Sequence, residues 1–166
     1  MINIDISKRH TRDISHATLL ALLLALTSAP VAAESLYTLH AEQTETLDSF
    51  VERIAPTLLT DTFRLGAEVC GVIAVDPQEN YAVNIVTTRV NNACTMRKSD
   101  VPEGFTYAGM TLHTHPELAH PHFHDADYAE PGYLVTYRGI AAQQGRGTER
   151  RLKRLSEATQ RNCSLC

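Results

Sequence analysis

The chain has 166 residues, a formal charge of −4 and 43% hydrophobic residues, which excludes a disordered or collagen-like polymer and suits a single ordinary domain. Its 15 Lys plus Arg against 19 Asp plus Glu leave no basic excess to hold a phosphate backbone, so no nucleic-acid partner is expected. The two compositional oddities are 8 histidines and no tryptophan.

In chain order, Lys8, Arg9 and Arg12 precede an apolar run from Ala17 to Thr27, which leads into Ser28-Ala29-Pro30-Val31-Ala32-Ala33. Charge, a short apolar stretch and small residues in that order read as a secretory signal cleaved after Ala33. The apolar run of about 11 residues falls well short of the roughly 20 that a membrane-spanning helix needs, so no span is expected after cleavage. Removal of residues 1–33 leaves a single domain, 34–166, of 133 residues with 12 basic and 17 acidic side chains, bound for the periplasm or the exterior.

From Thr44 to Thr62 the residues Leu47, Phe50, Val51, Ile54, Leu58 and Leu59 recur at three- and four-residue spacing, the pattern of an amphipathic helix. Glu68 to Val75 and Tyr81 to Val90 are rich in Val and Ile and are separated by Asp76-Pro77-Gln78-Glu79-Asn80, which predicts a hairpin. A third strand is expected from Phe105 to His113, then a Pro- and His-rich loop from Pro116 to Pro121, and a short helix from His124 to Ala129 ended by Pro131-Gly132. Tyr133 to Ala141 reads as a fourth strand and Thr148 to Thr159 as a helix, with Arg150, Arg151, Lys153 and Arg154 on a solvated face. The order predicts an α/β domain, a mixed β-sheet flanked by an N-terminal and a C-terminal helix.

Cys70, Cys94, Cys163 and Cys166 all lie beyond the signal, and four cysteines in an oxidising compartment favour disulfides over thiolate metal sites. Of the three possible pairings, Cys70–Cys94 with Cys163–Cys166 is favoured over those that tie the tail to the core.

His113, His115, His120, His122 and His124 fall within twelve residues, followed at once by Asp125 and Asp127. His113 and His115 are two apart on a strand, so they share a face and can meet one ion through neutral imidazoles. An aspartate a short loop later, Asp127 or in its place Asp125, completes three ligands and leaves a fourth tetrahedral position for water. A base is then required, and Glu68, the only charge in Glu68-Val69-Cys70-Gly71-Val72-Ile73, is the candidate. His120 and His122 read as loop histidines, with the alternative that they and His124 hold a second ion.

Glu68-Val69-Cys70-Gly71-Val72-Ile73, His113-Thr114-His115-Pro116 and Asp127 together resemble the JAMM metallopeptidases, whose motif is a strand glutamate, His-Ser/Thr-His-Pro and Ser-x-x-Asp. The resemblance covers about Glu68 to Gly139. It implies an MPN/JAB-like fold, Zn2+ as cofactor with His113, His115 and Asp127 as ligands, Glu68 as general base, and hydrolysis of a peptide or isopeptide bond in a peptide or protein substrate. Two departures stand out: the spacer after His115 is one residue longer than in the family, and His124 replaces the serine that stabilises the oxyanion. An imidazole N–H can donate the same hydrogen bond, while loss of such a donor costs about 10²- to 10³-fold in rate. The alternative expectation is an exported zinc- or copper-binding protein of the same fold with weak or no catalysis.

Overall fold

A computed structural model describes residues 32–118 and 120–155; the expected signal up to residue 31 and the Cys163/Cys166 pair lie outside the described residues. The helix forms where the periodicity places it, as α1 (Leu47–Leu65). Thr46 caps its start by accepting the Ser49 N–H at 3.3 Å, and Gly66 ends it at φ 61°, a left-handed turn that glycine adopts without a Cβ clash. Phe50, Val51, Ile54, Leu58 and Leu59 are all buried.

Seven strands form one mixed sheet: β1 (Glu34–His40), β2 (Cys70–Val75), β3 (Tyr81–Thr87), β4 (Thr106–Thr114), β5 (Gly132–Thr136), β6 (Gly139–Gln143) and β7 (Arg150–Lys153), in the order β1-β3-β2-β4-β5-β6-β7. Only β4 and β5 run parallel. The β2–β3 hairpin closes over an Asx turn, with Asp76 Oδ1 accepting the Gln78 and Asn80 N–H groups at 2.9 and 2.8 Å. Gly71 of β2 lies so close to β3 that a Cβ there would overlap the Asn84 carbonyl and the Val83 side chain, which is why an apolar strand carries a glycine.

Four expectations are corrected. The span Tyr133–Ala141 is two strands rather than one, β5 and β6, joined by Tyr137 and Arg138. Every residue of both strands is buried, so no polar alternation marks the break. The expected helix Thr148–Thr159 is instead β7, at least over Arg150–Lys153, so no C-terminal helix flanks the sheet among the described residues. Pairing with β6 overrides the local helical pattern, and the basic side chains are not simply solvated: Arg150 bonds Asp48 through both terminal nitrogens at 2.8 Å and Lys153 bonds Glu52 at 2.9 Å. Glu34–His40, unassigned from sequence, is an edge strand beside β3. Finally, Glu68 lies two residues before β2 rather than opening it.

The sheet has two unlike faces. Val69, Ile73, Leu112, Tyr133 and Val135 pack with Phe50, Ile54 and Leu58 of α1 in one core cluster. Because side chains alternate along strands, Glu68, Cys70, His113 and His115 fall on the face turned away from α1, and the chemistry-bearing groups gather there. No helix among the described residues is long and apolar enough to cross a membrane.

Candidate metal centre

β4 carries His113 as its penultimate residue, and His115 follows one step past its end, held in the sheet by its N–H to the Val135 carbonyl at 3.1 Å. Thr114, between them, points the opposite way. Its hydroxyl accepts the Val69 N–H at 3.1 Å and meets the Thr62 hydroxyl of α1 at 2.6 Å, while its own N–H donates to the Val69 carbonyl at 3.0 Å. The central threonine thereby sets the register between the two histidines and the segment bearing Glu68, next to Val69. Glu68 is further fixed by its N–H to the Val90 carbonyl at 3.2 Å and by the Thr87 hydroxyl on its own carbonyl at 2.8 Å.

Asp127 arrives from the other side, on a 3-10 segment, Asp125–Ala129. Its Oδ2 accepts the His124 N–H at 2.7 Å, and its own N–H donates to the His124 carbonyl at 3.0 Å. Buried Gln143 of β6 anchors the segment by donating to the Asp127 and Glu130 carbonyls at 2.8 and 2.6 Å. Together these bonds turn the other carboxylate oxygen, Oδ1, toward His113 Nε2, 3.3 Å away.

His113, His115 and Asp127 each offer a ligand atom within 4.8 Å of the others. Glu68 Oε1 is 3.9 Å from His115 Nε2, so the carboxylate adjoins the triad without belonging to it. His113 Nε2 and His115 Nδ1 are buried without a hydrogen-bond partner. Two orphaned imidazole nitrogens are costly in a folded chain, and an ion accepting the His113 Nε2 lone pair would relieve one of them. With nitrogen and carboxylate donors in this number, the residues fit a divalent transition ion with an open position. Asp125, the alternative ligand, is instead exposed and paired with Arg146 at 2.7 Å.

The electrostatics separate the roles. Burial, with the Asp127 and Glu117 carboxylates nearby, pushes the Glu68 carboxyl up to about 7, against the pull of His113. Burial and the neighbouring imidazoles push His115 down to about 4, which keeps it neutral and its lone pairs free at neutral pH. At Asp127 burial works against ionisation, but the His113 contact and the His124 N–H outweigh it and hold the carboxyl below its ordinary value.

The group sits in a cleft of about 680 Å3 whose other wall is the segment Asn91–Met96. The Cys70–Cys94 disulfide ties that wall to β2, the favoured pairing for these two cysteines. His124 also lines the cleft, exposed, its ring centre 5.0 Å from that of His115. Thus Glu68, His113, His115, Asp127 and His124 are brought to one place. Thr114, Thr62 and Gln143, which position them, had not been singled out; the only signals in the sequence were a polar residue inside the His-Thr-His triplet and a glutamine closing an apolar strand. No protein-family model, no curated protein and no solved structure matches the chain.

Proposed function

We propose that the chain is an exported metal-dependent hydrolase of the JAMM type, with an MPN/JAB-like fold, that cleaves a peptide or isopeptide bond, with zinc as its ion. The observation that carries this reading is Glu68, a buried carboxylate beside the three ligand side chains yet not among them, at the floor of an open cleft. His113, His115 and Asp127 would hold the ion. Bound zinc supplies Lewis-acid chemistry, acidifying water and polarising a carbonyl. Glu68 takes a proton from the attacking water as its oxygen adds to the carbonyl carbon, then returns that proton to the leaving amine nitrogen as the C–N bond breaks. The His115 lone pair stays unprotonated throughout, and the wall Asn91–Met96 shields the cleft from one side.

The disulfide is compatible with an oxidising compartment. A second reading, a metal-binding protein with little or no catalysis, is favoured by one observation: His124, where the family carries a serine, is exposed rather than seated against the ligand triad. Metal analysis and a peptide-cleavage screen of the wild type and Glu68→Gln distinguish the two. The hydrolase reading expects one zinc at the triad in both proteins and a cleavage rate lowered about 10²- to 10⁴-fold by the substitution. Equal cleavage by both, or none by either, leaves the binding-protein reading.

A further inference from the structure

Beside the triad lies a second group of imidazoles that the hydrolytic reading does not use. The ring centres of His122 and His124 are 4.8 Å apart, and those of His122 and His115 are 6.2 Å apart. A zinc–imidazole bond of about 2.0–2.1 Å and tetrahedral angles place two rings on one ion about 5 Å apart, centre to centre. His113 and His115, the histidine pair of the triad, stand at 5.1 Å, so the His122–His124 pair has the spacing of two rings that share an ion.

The protonation state of His122 is also settled by its surroundings. Its Nδ1 lies 3.3 Å from the His120 carbonyl oxygen, and a carbonyl only accepts, so Nδ1 carries the proton and Nε2 keeps its lone pair. A histidine that gives its second N–H to a backbone carbonyl is the usual supported form of a metal-ligating imidazole. The loop that presents the pair is pinned on both sides of His124: Phe123 packs on Tyr128 with ring centres 5.8 Å apart, the His124 N–H is held by Asp127 Oδ2, and Asp125 is paired with Arg146. Both rings are exposed, which leaves the remaining coordination positions to water.

We infer that His122 and His124 form a second site for a borderline transition ion, zinc or copper(II), at the mouth of the cleft. Imidazole ligation excludes the hard cations calcium and magnesium, which require oxygen ligands. The pair does not depend on the hydrolase reading, because neither Glu68 nor catalysis enters it.

The test is an equilibrium titration of the metal-free, disulfide-intact chain with Zn2+ against a competing chelator, repeated with Cu2+ and with Mg2+. Because both side chains are exposed, His122→Asn/His124→Asn keeps the fold, which circular dichroism checks. The wild type should take two zinc ions, and the double variant should lose the weaker one, its affinity falling by more than the roughly 100-fold that a lost supporting hydrogen bond costs. His113→Asn should lose the tighter ion and keep the weaker one. Two ions retained by the double variant, or a single ion indifferent to it, overturns the second site. A single ion lost in the double variant but kept in His113→Asn upholds the second site while removing the triad, so the two readings fail separately.

Discussion

At the scale of single residues, the site depends as much on Thr114 as on the histidines that flank it. Its hydroxyl serves the Val69 N–H and the Thr62 hydroxyl at once, and both partners are buried. Thr114→Val keeps the shape but leaves both without their partner, at a cost of about 1–3 kcal/mol. Urea denaturation should show that loss, and Thr114→Ser should recover most of it. If the threonine acts by aligning Glu68 with the triad, the valine variant also loses cleavage while retaining metal, and serine restores both; an effect on stability alone would reduce Thr114 to a packing role. The sequence displayed the ligand types and their spacing, because two residues apart on a strand means one shared face. It did not display that Thr114 would be the register pin, since that role exists only where β4 meets Val69 and α1.

Among the elements, the wall Asn91–Met96 has no regular strand or helix and is joined to β2 by Cys70–Cys94, with 24 residues between the two sulfurs in sequence. Closing a loop of that length is worth about 3 kcal/mol in the chain-entropy account. Reduction, or Cys70→Ala/Cys94→Ala, should lower the unfolding midpoint by that order. Under the hydrolase reading it should raise KM more than it lowers kcat, because Glu68 and the triad keep their own hydrogen bonds. An unchanged midpoint would mean that the wall is held by its remaining contacts. Metal has the opposite sign: an ion that binds only the folded chain adds about 2.7 kcal/mol at a hundredfold excess over its Kd, so chelation should lower the thermal midpoint of the wild type and leave that of Asp127→Ala unmoved.

For the whole molecule, Asp48 is the point where distant parts of the chain meet. Near the start of α1, it accepts the Tyr133 hydroxyl of β5 at 2.6 Å and both Arg150 nitrogens of β7 at 2.8 Å. The Arg150 guanidinium, aided by the Tyr133 hydroxyl and opposed by partial burial, holds the Asp48 carboxyl below its ordinary range. The unfolded chain therefore binds this proton more readily than the folded one. The stabilisation is complete above the ordinary carboxylate value and is lost as pH falls through the lowered one. Asp48→Asn should be less stable than the wild type at neutral pH and should lose less stability between pH 5 and pH 2, as measured by denaturant midpoints at each pH; parallel profiles would show that the ion pair is fully screened by solvent.

By itself the sequence determined whatever depends on near neighbours along the chain: α1 from its 3.6-residue periodicity, the β2–β3 hairpin from Asp76-Pro77 and its turn residues, and the candidate donors from their spacing. Only the tertiary structure decided what depends on partners far away. It split Tyr133–Ala141 into β5 and β6, because a segment buried on both faces carries no alternation to show the break. It turned Thr148 onward into an edge strand, because hydrogen bonds to β6 and ion pairs to Asp48 and Glu52 outweigh a weak local helical preference. And it set Asp127 beside His113 through Gln143 and the His124 N–H, contacts between residues that no local pattern relates.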